Sequence, residues 1–182
     1  MSFFKTFGPI NSVKDLLLIN KTAGAALINF HQEVLREESE LSVGQREFIA
    51  AYVSGLNSCQ YCHEIHSVTA EAFGVDSKVL EAVLDEISTA PIEAKVKPLL
   101  QYAKLLTIEP AKMNQSLIDD ILSAGWSERA VHDLIYVVSL FNFMNRLVEG
   151  HGVSGSKSLF VDRGRALHEK GYSGLLKLLK ED

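Results

Sequence analysis

The 182 residues carry 47% apolar side chains, four prolines and a formal charge of −5, a composition able to bury the core of one globular domain without disulfide staples. Acids and bases are interspersed with no basic run long enough to hold phosphates, which argues against nucleic acid as a partner. The start MSFFKTFGPINSVKDLLLIN has no basic leader or cleavage pattern, and no segment reaches the roughly eighteen apolar residues of a membrane span, so a cytoplasmic protein without a membrane partner is expected.

Hydrophobic periodicity is helical nearly throughout, with no alternating strand and no Asn-Gly or Asp-Gly hairpin turn, and predicts an all-α fold. A first helix is expected over 13–38. SVGQREFIAAYVSGL predicts a second, with Ser42 as N-cap and Gln45 closing a capping box. GLNS interrupts the pattern, and a third helix follows over 59–73, stopped by Gly74. Asp76 caps a short helix to about residue 87. A further one covers 92–106, where Pro98 marks a kink or a late start. Helices over 115–124 and 127–149 end at Gly125 and Gly150, and an amphipathic helix over 173–179 closes the chain. The whole, 1–182, reads as a single domain.

Shifting the sequence by 85 residues lays SVGQREFIAAYVSGLNSCQYCHEIHSV against SERAVHDLIYVVSLFNFMNRLVEGHGV, with Asn57 meeting Asn142 and His66 meeting His151. An internal helical repeat is the expectation. Met144 and Leu147 stand where the first copy has its cysteines.

Those cysteines, Cys59 and Cys62, are the only two in the chain, and His63 and His66 follow them in NSCQYCHEIHS. In a reducing cytosol such a pair points to metal, redox chemistry or chance rather than a structural bridge. On a helix, Cys59, Cys62 and His66 fall within about 60° of one another, and side chains three residues apart stand close enough for a disulfide after small adjustment. A first-turn cysteine feels the positive end of the helix dipole, and a histidine one turn on can take its proton. Which thiol attacks stays open: the dipole favours Cys59, while Cys62 lies nearer the apolar arc of Tyr61, Ile65, Ala72 and Phe73. CQYCH also fits haem attachment, but nothing signals the export or axial partner it needs. Zinc would need ligands from elsewhere, because thiolates crowded on one helix rarely fill four tetrahedral positions. Burial of two small apolar cysteines by chance is the plain alternative.

REFIAAYVSGLNSCQYCHEIHS resembles the signature of the alkylhydroperoxidase-D (AhpD) and carboxymuconolactone decarboxylase superfamily: a glutamate, twelve positions later a C-x-x-C, and a histidine four after the second cysteine. Glu47, Cys59, Cys62 and His66 fit that spacing. DLIYVVSLFNFMNRLVEGHGV resembles the second half of the peroxidase-related branch, so the likeness spans about 40–155. The resemblance implies an all-α AhpD-like fold, assembled as a homo-oligomer, trimer or hexamer. It implies a thiol peroxidase that reduces hydrogen peroxide or organic hydroperoxides and is re-reduced by an unidentified thiol or lipoyl-type partner, with no cofactor and no metal. Carried over by position, Cys62 attacks the peroxide, Cys59 condenses with the sulfenic acid, His66 is the base, and Glu47 orients it. A glutamate within EFIAAYV needs such a reason, since burying it unpartnered is costly. Some members carry a second relay histidine immediately before the second cysteine; here that place is Tyr61, a poor base near neutral pH. A dithiol-disulfide oxidoreductase and a redox-responsive or zinc-holding interaction protein are the other readings.

Among the remaining polar residues, Asn142, Asn145, Arg146 and Glu149 form a stripe expected to line a pocket or an interface. His31, His132, His151 and His168 read as surface or capped histidines, His63 as an exposed bystander, and Trp126 as a core or interface residue.

Overall fold

The computed structural model describes residues 3–180, and all regular structure among them is helical. The helix on which the rest is built is α3 (Val43–Leu56): ten of its fourteen residues are buried, so it can only sit at the centre of the bundle. Ser42 and Gln45 form the predicted capping box, each side chain bonding the other's backbone N–H, at 3.1 and 2.8 Å. Full burial of Phe48, Ile49 and Val53 contributes about 1.5–3 kcal/mol each, which is what drives neighbouring helices onto α3.

The predicted first helix is two. α1 (Val13–Leu18) and α2 (Lys21–Arg36) are separated at Asn20, whose side chain accepts the Ala23 N–H at 3.1 Å and starts a new helix. α4 (Gln60–Ala72) folds back along α3. Between them the backbone turns through Asn57 and Ser58, and Ser58 takes the left-handed conformation (φ 56°), which costs a non-glycine residue about 1–2 kcal/mol. Two backbone bonds hold this corner, Cys59 N–H to Ser54 O and Ser58 N–H to Gly55 O, both 2.9 Å.

α5 (Ser77–Asp85) starts at Asp76 as expected. Pro98 marks a late start: a 3₁₀ turn at Ala94–Val96 leads into α6 (Lys97–Ile108), with the proline in its first turn. α7 (Gln115–Ser123) and α8 (Glu128–Gly150) follow the predicted boundaries to within a residue or two. The segments aligned by the 85-residue shift differ in shape: 42–68 is helix, corner and helix, whereas α8 runs unbroken through its partner segment.

One helix escapes periodicity altogether. α9 (Lys157–Lys170) buries only Phe160, Gly164 and Leu167, too narrow a stripe to stand out among its charges. Gly164 lets it press on α4, because a β-carbon there would lie 2.6 Å from the Val68 side chain. Thr69 Oγ1 donates across this contact to Gly164 O at 3.2 Å. Gly171 ends α9 at φ 59°, ψ −164°, a region only glycine occupies without strain. That turn aims Tyr172 into the bundle before α10 (Ser173–Lys180). Gln32 on α2 fastens it by accepting the Tyr172 and Ser173 N–H groups at 3.1 and 3.3 Å. Helices α1, α2, α9 and α10 thus close over α4, which carries the cysteines. No helix among the described residues is long and apolar enough to cross a membrane.

Candidate active site

α4 begins one residue later than the sequence suggests. Cys59 is its N-cap and Cys62 the third residue of its first turn, so both thiols stand at the positive end of the helix. The dipole therefore does not choose between them; access does. Cys59 is fully buried, whereas Cys62 lines a cavity of about 90 Å³ together with His66, Phe141, Met144 and Tyr172. Of the apolar arc expected beside Cys62, Tyr61 and Ile65 are buried as supposed, but Ala72 and Phe73 are exposed.

Both cysteines are free thiols. The hydrogen bond with Cys59, then burial, push the Cys62 thiol well above its ordinary pKa, and the Asn145 carboxamide pulls weakly the other way. The resting side chain is accordingly a thiol, and attack on an electrophile requires a base. The groups that act on this thiol are Cys59 and Asn145; His66 lines the same cavity.

Glu47 sits on the core side of that imidazole. It is completely buried, and its Oε2 accepts from His66 Nδ1 at 2.6 Å. Its Oε1 accepts from Arg36 Nη1 at 2.6 Å and from the Tyr172 hydroxyl at 3.1 Å. Burial raises the pKa of this carboxyl, but the His66 charge and hydrogen bond and then those of Arg36 outweigh it and hold the group below its usual range. Tyr172 is pushed up by burial and by Glu47, so it remains a phenol that donates. With Nδ1 tied to a carboxylate, His66 presents Nε2 as its free nitrogen, and its ring is fixed edge-on to Phe141 at 4.5 Å.

Arg36 and Tyr172 were not singled out in the sequence. Arg36 lies at the end of α2, where it also donates to Leu35 O and Leu167 O and stacks on Tyr172 at 4.9 Å. The only sequence signal for it was negative: a glutamate in EFIAAYV has to find a cation somewhere. His31 is capped as expected, but it is buried rather than at the surface. Read as a surface or capped histidine, it is 6% exposed, lines the same cavity as Cys62 and His66, and is capped on one nitrogen only, Nδ1 to Leu27 O at 2.8 Å.

Tyr61, at the place where some family members carry a second relay histidine, lines the same cavity, and its hydroxyl accepts the Val13 N–H at 3.2 Å, tying α4 to α1. His63 is half-buried rather than exposed, its Nδ1 donating to Ala51 O at 3.0 Å. Of the polar stripe on α8, Asn145, Arg146 and Glu149 line a cleft of about 270 Å³ together with Asn57, and Asn142 does not. Asn57 Nδ2 donates to Asn145 and Asn142 at 2.9 and 3.2 Å, and buried Asn145 donates to Ser54 Oγ at 2.9 Å. The corner before Cys59 is thereby clamped to α8. His151 is capped by Leu147 O, His132 and His168 are exposed, and Trp126 is buried with its N–H donated to Lys95 O.

Residues 22–104, which contain the glutamate, both cysteines and His66, match the carboxymuconolactone decarboxylase family. Over that stretch the chain is similar to this family. Several solved structures share its fold, two of them as follows. An uncharacterised peroxidase-related protein from Silicibacter sp. TM1040 superposes with a TM-score of 0.77 at 24% identity over 88% of this chain and 84% of its own. The alkylhydroperoxidase AhpD core of an uncharacterised peroxidase-related protein from Ralstonia eutropha JMP134 gives 0.74 at 20% identity, covering 82% and 78%. No curated protein of known function matches. In this chain Tyr61 stands immediately before the second cysteine, and Arg36 and Tyr172 both meet Glu47 behind His66.

Proposed function

We propose that the protein is a thiol peroxidase acting on hydrogen peroxide or compact organic hydroperoxides. The observation that carries this reading is the shared cavity: Cys62 and His66 line one small apolar chamber, with Cys59 beside Cys62 and Glu47 fixing His66 from outside it.

His66 Nε2 takes the Cys62 proton through a water or substrate hydroxyl in the cavity, and the Glu47 charge stabilises the imidazolium that forms. The thiolate attacks the terminal peroxide oxygen, the O–O bond breaks, and the departing alkoxide or hydroxide takes the proton back from His66. Cys62 is left as a sulfenic acid. The Cys59 thiol then attacks its sulfur, water leaves, and the two sulfurs are joined. A dithiol reductant, for which a lipoyl-type group is the model, reopens the disulfide by exchange. In sum, one hydroperoxide and two thiols give one alcohol, one water and one disulfide.

A chamber of about 90 Å³ is smaller than the roughly 150 Å³ that holds a benzene ring, which favours peroxide over a protein disulfide as the oxidant. No group of three His, Cys, Asp or Glu side chains among the described residues is arranged to hold a metal. The test is peroxide consumption with dihydrolipoamide as reductant. Turnover that is lost in both Cys59→Ser and Cys62→Ser supports the reading. Absence of peroxide consumption together with rapid exchange against disulfide substrates refutes it in favour of a dithiol-disulfide oxidoreductase.

A further inference from the structure

We propose that His31 is a second imidazole of the reaction site: its Nε2 accepts a hydrogen bond from the hydroperoxide's own O–H and so holds the terminal oxygen against Cys62. The inference rests on the peroxidase reading and extends it to the substrate's orientation.

The ring is fixed from three sides. Nδ1 lies 2.8 Å from Leu27 O, an acceptor only, so Nδ1 carries the hydrogen and Nε2 the lone pair. Phe141 meets the ring edge-on at 6.2 Å, the same phenyl group that meets His66, and Tyr172 lies 5.2 Å away. Nε2 has no protein partner among the described residues, although the side chain is nearly buried and lines the cavity with Cys62 and His66. Nε2 is not among the fully buried unpartnered atoms of the described residues, so it is open to the cavity and can take a partner there. The ring keeps an acceptor free, in a chamber whose lining is otherwise mostly apolar.

The two histidines differ in what stands behind them. His66 backs onto a carboxylate, whose Oε2 accepts from its Nδ1 at 2.6 Å. His31 backs onto a neutral carbonyl, and burial, with the His66 charge adding to it, lowers its pKa to about 4 against partial offsets from Leu27 O and Glu47. At neutral pH His31 is thus an acceptor while His66 is the proton carrier. The proton balance agrees with that division. The oxygen attacked by Cys62 keeps its hydrogen as it becomes S–OH, so His31 gains and loses no proton. The thiol proton travels by His66 to the leaving oxygen.

The experiment compares two single-turnover reactions of Cys62, oxidation by hydrogen peroxide and alkylation by iodoacetamide, in a Cys59→Ser background. His31→Leu is expected to slow oxidation about tenfold, the worth of one lost hydrogen bond in the transition state. Alkylation, which needs the thiolate but no oriented O–H, keeps its rate and pH profile. His31→Gln, whose amide oxygen can accept, recovers part of the loss. Equal slowing of both reactions, a shifted alkylation profile, or unchanged oxidation overturns the proposal. If wild-type Cys62 does not react with peroxide, the peroxidase reading falls and this one with it. A reactive wild type with an unaltered His31→Leu rate overturns only the role of His31. A second measurement needs no change at His31: in Cys62→Ser protein, titration with hydrogen peroxide should move the ¹⁵N resonance of His31 Nε2. A resonance that stays fixed through saturation overturns the contact.

Discussion

Replacing Glu47 with glutamine separates its part as counter-charge to Arg36 from its proposed part in moving the Cys62 proton. Its oxygens lie 2.6 Å from both His66 Nδ1 and Arg36 Nη1, with the carboxylate wholly buried and the arginine side chain 10% exposed. Glutamine keeps an oxygen for His66 Nδ1, hence the tautomer, but leaves the guanidinium without a counter-charge. Breaking one side of such a buried pair costs about 3–5 kcal/mol, which lowers a urea midpoint by about 1–2 M for a chain of this size. Loss of the charge that stabilises imidazolium should slow peroxide oxidation of Cys62 about 10²-fold. The double variant Arg36→Met/Glu47→Gln removes both charges. It should recover stability to within about 2 kcal/mol of wild type, the remainder reflecting the lost bonds to Leu35 O and Leu167 O. Its oxidation rate should stay as low as in Glu47→Gln. Urea melts and stopped-flow oxidation of the three proteins decide the matter. A double variant that regains the wild-type rate would show that Glu47 only neutralises Arg36 and takes no part in moving the proton.

Cys62→Ser should form no sulfenic acid, and Cys59→Ser should form one without resolving it; a sulfenic-acid trap that labels the first variant but not the second reverses the assignment. Loss of His66 together with Glu47 should slow oxidation little more than the worse single change, because the pair acts as a unit, and multiplied effects would refute that coupling. Acid should destabilise the fold through His31: its pKa is about 4 folded against an ordinary 6.5, so the unfolded chain binds the extra proton as pH falls. Stability is then full above about pH 6.5 and drops by about 3 kcal/mol by pH 4, a slope that should be missing from His31→Gln urea melts. We also expect a homo-oligomer, trimer or hexamer, formed through the α2/α8 groove where Phe30, Tyr136 and Phe143 are 39, 42 and 52% exposed. Light scattering should report a multiple of 20.1 kDa that Phe143→Glu lowers, and a monomer in wild type would refute it.

What the sequence disclosed, and what it withheld, follows the range of the interactions concerned. Ser42 and Asp76 announce their helices because a cap is a local bond. The spacing of Cys59, Cys62 and His66 on α4 is likewise local, and the buried Glu47 implied a partner. Which partners came from a distance could not be read. Arg36 and Tyr172 lie 11 and 125 positions from Glu47, and nothing in α2 marks Arg36 off from any terminal arginine. His31 looked peripheral because the sequence does not say which way α2 faces. Its orientation is settled by the break at Asn20 and by α9 and α10 closing over it, and α9 itself buries too little to betray its period.

The central claim is that Cys59 and Cys62 cycle through one disulfide under peroxide. Intact mass and free-thiol titration, before and after one equivalent of hydrogen peroxide at neutral pH without reductant, test it most directly. The expected result is a folded protein with no titratable thiols, lighter by two hydrogens. Two thiols persisting in a folded protein of unchanged mass would contradict it.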